Sequence, residues 1–90
     1  MTRDIRLTLI GKPGCHLCDD ARDLVQAVIA EVSASDAAPS MSLAELSILD
    51  DEALAERYGE EIPVLLIDGE MHAYWRVDPV RLKTALLAQG

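Results

Sequence analysis

The sequence predicts an α/β fold: one mixed sheet of four strands flanked by helices, in the order β-α-β-α-β-β-α. Three observations carry this. A strand-like run, Ile5 to Ile10, leads into a long stretch with helical spacing of apolar residues. A second strand follows and closes a βαβ unit, which pairs its strands in parallel through a right-handed crossover. Late in the chain, Asp68-Gly69 separates two strand-like runs and adds an antiparallel hairpin. A single mixed sheet with helices against it is the simplest way to bury these faces.

The elements follow in order. Ile5 to Ile10 places Ile5, Leu7 and Leu9 on one strand face, and Gly11-Lys12-Pro13-Gly14 breaks it. From Cys15 to Val32, residues Leu17, Ala21, Leu24, Val25, Val28 and Val32 recur at helical intervals. Ser33 to Ser42, with Pro39 and several small residues, reads as a loop. Leu43 to Leu49 reads as the second strand, and Asp50 as the N-cap of a short helix that Gly59 ends. Ile62-Pro63 breaks the chain before the apolar strand Val64 to Ile67. Glu70 to Arg76 returns antiparallel to it. Asp78-Pro79 is an N-cap followed by a first-turn proline, starting a helix to about Ala88.

The chain has 90 residues, 50% hydrophobic and 27% charged, with a formal net charge of -8. This length supports one domain, 1–90, and leaves no room for a second. With two Tyr, one Trp and no Phe, the core must be mainly aliphatic. Sixteen acidic residues face eight basic ones, and no run of Lys or Arg offers a phosphate-tracking face. Nucleic acid and anionic membrane surfaces are therefore not expected partners. No apolar run approaches the ~20 residues of a transmembrane helix. Met1-Thr2-Arg3-Asp4-Ile5-Arg6 mixes charge into a strand-like run and does not read as a signal peptide. The expectation is a cytoplasmic monomer. Two cysteines supply one short bridge at most, which excludes a disulfide-rich secreted scaffold.

Cys15-His16-Leu17-Cys18 stands where the first loop ends and the first helix begins. A helix N-terminus presents unpaired backbone N–H groups and partial positive charge, and both favour thiolate over thiol at Cys15. Cys18 is one turn on, near the same face, and can attack a mixed disulfide formed at Cys15. Cys15 is thus the candidate attacking residue and Cys18 the resolving one. Lys12 and a protonated His16 would support the thiolate, whereas Asp19, Asp20 and Asp23 would oppose it. Other readings stay open. Structural zinc needs about four ligands, and only His16 and His72 remain beside the pair. A cluster shared between two chains could use two C-x-x-C pairs. Two buried, inert cysteines are a third reading. His72 reads as a strand surface residue. Tyr74 and Trp75, adjacent on a strand, should face opposite sides, one of them packed in the core.

The segment Lys12-Pro13-Gly14-Cys15-His16-Leu17-Cys18 resembles the active-site loop of glutaredoxin-like proteins. Tyr58-Gly59-Glu60-Glu61-Ile62-Pro63-Val64-Leu65 is similar to their helix, turn and proline-led strand. The element order looks like a thioredoxin-like fold, and the resemblance is greatest to small bacterial glutaredoxin-like proteins. It implies a cis-proline at Pro63 near the cysteine pair, with the backbone of Ile62 pairing with bound peptide or glutathione. It also implies that Lys12 meets a substrate carboxylate and Asp78 the glutathione amine. Asp78 is explained equally well as an N-cap. His16-Leu17 stands where glutaredoxins have Pro-Tyr. Tyr74-Trp75-Arg76-Val77 stands where they carry a Gly-Gly pair, which weakens the case for glutathione; Arg76 offers an alternative carboxylate contact.

The leading expectation is a thiol–disulfide oxidoreductase acting on a disulfide-containing protein or a small-molecule thiol. It requires no cofactor, and glutathione or a reductase resets it. A non-enzymatic module that carries a metal or cluster or binds a protein is the alternative, with a redox sensor as a third.

Overall fold

The computed structural model describes residues 4–35 and 38–89. Met1-Thr2-Arg3 of the N-terminal charge reading and residues 36–37 of the expected loop lie outside them. The elements are β1 (Asp4–Gly11), α1 (His16–Ser33), β2 (Ser40–Ser47), α2 (Glu52–Tyr58), β3 (Val64–Ile67), β4 (Glu70–Tyr74) and α3 (Pro79–Gln89). The sheet order is β2-β1-β3-β4, with β2 parallel to β1 and the other two pairs antiparallel. This is the four-stranded mixed sheet and the element order that the sequence predicts.

Alternation on β1 builds two cores. Ile5, Leu7 and Leu9 meet Val25, Val28 and Val32 of α1 and Leu82 and Leu86 of α3 on one face. Ile10 and Val64 meet Tyr58 of α2 in a smaller cluster, with Leu54 packed against it. Each fully buried aliphatic side chain stabilises the fold by about 1.5–3 kcal/mol, so the larger cluster dominates. It fixes α1 on the sheet, and with it the cysteines at the start of that helix.

The ends of several elements differ from the sequence reading, each for a local reason. β2 begins at Ser40 and ends at Ser47, rather than running from Leu43 to Leu49. Its pairing is one-to-one from Asp4↔Ser40 to Gly11↔Ser47, so the buried partner strand sets its length. Leu49, 71% exposed, falls in the following turn. The N-cap of α2 is Asp51, not Asp50: its Oδ1 accepts from the Ala53 N–H at 2.9 Å. β4 stops at Tyr74 because Trp75 takes a positive φ of 64°. Asp68 and Gly69 have φ of 50° and 84°, the paired positive values of a type I′ turn. The turn is tied to β1, since the Arg6 N–H donates to Asp68 Oδ1 at 3.0 Å.

Candidate active site

The site forms at the end of the sheet where β1 finishes. Gly11-Lys12-Pro13-Gly14 turns there, with Gly14 at φ 76°, and delivers Cys15 as the N-cap of α1. Cys15 is extended, and its Sγ accepts from the Cys18 N–H at 3.2 Å. Its carbonyl accepts the first helical bond, from Asp19 N–H at 3.0 Å. One of the unpaired donors of the helix start is therefore aimed at the Cys15 sulfur. That contact strengthens when the sulfur carries charge.

The two cysteines form a disulfide, with Cα atoms 5.2 Å apart. Their surroundings differ. Cys15 is half-buried, while Cys18 is 3% exposed and faces the sheet. An incoming group reaches Cys15 first, and Cys18 meets what Cys15 has already bound.

The charges near the pair are arranged more favourably than the sequence suggests. Asp19 pairs with Arg22 at 3.1 Å, and the same guanidinium bonds Glu45 of β2. Hydrogen bonding and charge from Glu45, then Asp19, hold Arg22 more firmly protonated than usual. Asp19 is thus partly neutralised by a neighbour, while Asp20 and Asp23 face solvent. Lys12 is exposed on the rim of a cleft of about 380 Å³ that also borders Gly11, Cys18, Arg22, Glu45 and Asp50.

Pro63 reaches the same end of the sheet by register. Ile10 pairs with Val64, so the next residues along, Gly11 and Pro63, lie side by side beyond the last pair. Pro63 is buried and the Ile62–Pro63 peptide is cis. Trp75 locks this turn: its backbone N–H donates to Pro63 O at 2.8 Å and its indole Nε1–H to Glu60 O at 2.9 Å. A second cleft, of about 280 Å³, runs between Leu17 and Asp20 of α1 and the Trp75-Arg76-Val77 segment. Asp78 lines neither cleft, although its neighbour Val77 borders the second. Its Oδ1 accepts from Val80 N–H at 2.9 Å and Arg81 N–H at 3.1 Å, capping α3.

Two expectations are corrected here. Tyr74 and Trp75 are both exposed, at 46% and 54%, in edge contact with ring centroids 5.0 Å apart. Neither is core, because the positive φ at Trp75 ends the strand alternation that would have put one inside. His72 is partly enclosed rather than on the strand surface, and its Nε2 is buried. Among the described residues no three of His, Cys, Asp and Glu converge on a common metal position. Among the described residues, no helix is long and apolar enough to cross a membrane.

Residues 6–87 match the model of the glutaredoxin-like domain (DUF836). The chain belongs to this family. Uncharacterised proteins of Mycobacterium tuberculosis and Mycobacterium bovis are 26% identical to this glutaredoxin-like domain over 78 residues, covering 87% of it and 78% of their own length. Among solved structures, an X. campestris protein is 31% identical with a TM-score of 0.63, covering 93% of this chain and 99% of that one. Nitrosomonas europaea protein Ne2328 superposes with a TM-score of 0.76 at 19% identity, covering 96% and 95%. A mutant thioredoxin from Halobacterium salinarum superposes at 0.60 with 22% identity, covering 97% and 75%. These likenesses give the glutaredoxin-like domain a thioredoxin-like fold, with a C-x-x-C pair of redox type at the start of its first helix.

Proposed function

We propose that this glutaredoxin-like domain is a small thiol–disulfide oxidoreductase. The observation that carries the reading is the asymmetry of the pair. The half-buried Cys15 sulfur sits at a helix N-cap and takes a backbone N–H, while Cys18 lies buried one turn behind it. In the reduced protein, the Cys15 thiolate attacks a substrate disulfide, forming a mixed disulfide and releasing one substrate thiolate. The Cys18 sulfur, losing its proton, then attacks Cys15 Sγ. This forms the Cys15–Cys18 disulfide and releases the second substrate thiol. The substrate gains two electrons and the protein loses them, and glutathione or a thioredoxin-type reductase returns them.

Lys12 would meet a substrate carboxylate from the rim of its cleft. The backbone of Ile62, beside Pro63, would pair with an extended substrate. Asp78 would contribute through the start of α3. The substrate is a disulfide-containing protein or the disulfide form of a small-molecule thiol, and the protein works as a cytoplasmic monomer without a cofactor of its own.

The test is disulfide reduction coupled to glutathione and, separately, to a thioredoxin reductase system, for wild type and Cys15→Ser. Turnover in one system that disappears in Cys15→Ser is expected. Turnover that survives the substitution removes Cys15 from the reaction, and no turnover in either system removes the reading.

A further inference from the structure

The pairing of β3 with β4 slips by one residue. Leu65 faces Ala73 and Leu66 faces Met71, so His72 is the extra residue of a β-bulge on the edge strand. Bulges bend a strand and re-aim a side chain, and they are frequent beside functional sites. Here the bulge turns His72 into the wall of a pocket of about 330 Å³, whose other charged residues are Arg76 and Arg81. Tyr74 is the remaining titratable group there.

In a chain with sixteen acidic residues against eight Lys and Arg, no carboxylate among the described residues lines this pocket. Both clefts beside the cysteines contain at least one. Arg22 and Lys83 elsewhere are paired with Asp19, Glu45 and Glu31. Among the described residues, the side chains of Arg76 and Arg81 have no such ion pair. Arg76 and Arg81 are both exposed at the mouth of this pocket, and an oxyanion between them would accept charge-assisted hydrogen bonds from both guanidinium groups. The structure points to a site of this kind: we propose that the pocket at the β4 bulge binds an oxyanion, a phosphate or a carboxylate group, between Arg76 and Arg81. Arg76 also borders the second cleft, across from Asp20, but the proposal does not require the redox reading, and its test does not use turnover.

His72 reports on it. Burial, then the Arg81 charge, keeps its imidazole protonating below the ordinary value of 6.5. From β3 the bulge meets Leu65 and Leu66, neither of which titrates. An anion on Arg81 cancels part of that repulsion, so the His72 midpoint rises. His16, the other histidine, lies in the C-x-x-C segment and serves as the internal reference.

The experiment is an NMR pH titration of both imidazoles at constant ionic strength, in chloride, in inorganic phosphate and in acetate. The His72 midpoint is expected to rise by about half a unit or more in phosphate or acetate, with His16 unmoved. The anion that acts assigns the source as phosphate or carboxylate. In the Arg76→Gln, Arg81→Gln double variant the anion-dependent rise is expected to vanish. No rise in either anion overturns the site, as does an equal rise at both histidines. A rise that survives the double substitution overturns the role of the arginines. The wild-type comparison of His72 with His16 stands even if the double variant does not fold.

Discussion

Gly11 leaves the space that Cys18 fills: a Cβ built on Gly11 would stand 2.8 Å from the Cys18 sulfur and 3.1 Å from its Cβ. Gly11 ends β1, and the register puts it beside Pro63, so the strand end cannot retreat without disturbing the sheet. The sulfur must move instead. A reduced Cys18 can rotate away, whereas the disulfide holds its sulfur against Cys15. Gly11→Ala is therefore expected to disfavour the oxidised form. Crowding of about 1–3 kcal/mol corresponds to a midpoint potential raised by roughly 20–60 mV. Redox titration against glutathione buffers measures it, and an unchanged or lower potential contradicts the packing role.

Trp75 is held in a backbone conformation that bulky residues rarely adopt, at φ 64°, by its bonds to Pro63 O and Glu60 O. Replacing it separates the side chain from the backbone. Trp75→Ala loses the indole bond and keeps the left-handed penalty, while Trp75→Gly loses the bond and escapes the penalty. The glycine variant should be the more stable of the two by about 1 kcal/mol in urea unfolding, the reverse of the usual order. If alanine proves equal or better, the positive φ carries no strain.

Much of this architecture is legible in the residues themselves. The spacing of Ala21, Val25, Val28 and Val32 marks the buried face of α1, and Asp68-Gly69 marks the hairpin with its turn type. The cysteine pair at a helix start is legible for the same reason, since strand, glycine-bearing loop and helix follow in sequence. What stays hidden depends on partners far along the chain. β2 is an edge strand with Ser40, Ser42 and Ala44 exposed; Met41 is the one apolar residue ahead of Leu43, and pairing to β1 is what extends the strand back to Ser40. The bulge at His72 and the positive φ at Trp75 arise from fitting β4 to a shorter, buried β3, and no local pattern announces either.

Asp78 distinguishes a cap from a ligand contact. Its Oδ1 holds the Val80 and Arg81 N–H groups. Asp78→Ala should lose about 0.5–2 kcal/mol of stability, and Asp78→Ser should recover most of it, because serine caps nearly as well without the charge. Equal losses in both variants would show that the carboxylate charge, rather than the cap, is what the fold uses.

His72 gives stability a pH dependence of known sign. Its imidazole protonates below 6.5 in the folded chain because burial and then Arg81 oppose the charge. As pH falls through about 6.5, the unfolded chain takes up a proton before the folded one does. Stability is therefore fully present above that value and is lost as pH falls toward the folded midpoint. Between pH 7.5 and 5, wild type should lose more stability than His72→Gln in urea unfolding. An identical loss in the variant would mean that His72 titrates freely.

The division of labour between the cysteines is tested most directly by trapping. Reduced Cys18→Ser is mixed with a disulfide substrate and its intact mass recorded. A stable mixed disulfide on Cys15 is predicted, with none on Cys15→Ser, because Cys18 is 3% exposed behind it. An adduct of equal yield on Cys18 in the Cys15→Ser protein would contradict the assignment of attack to Cys15.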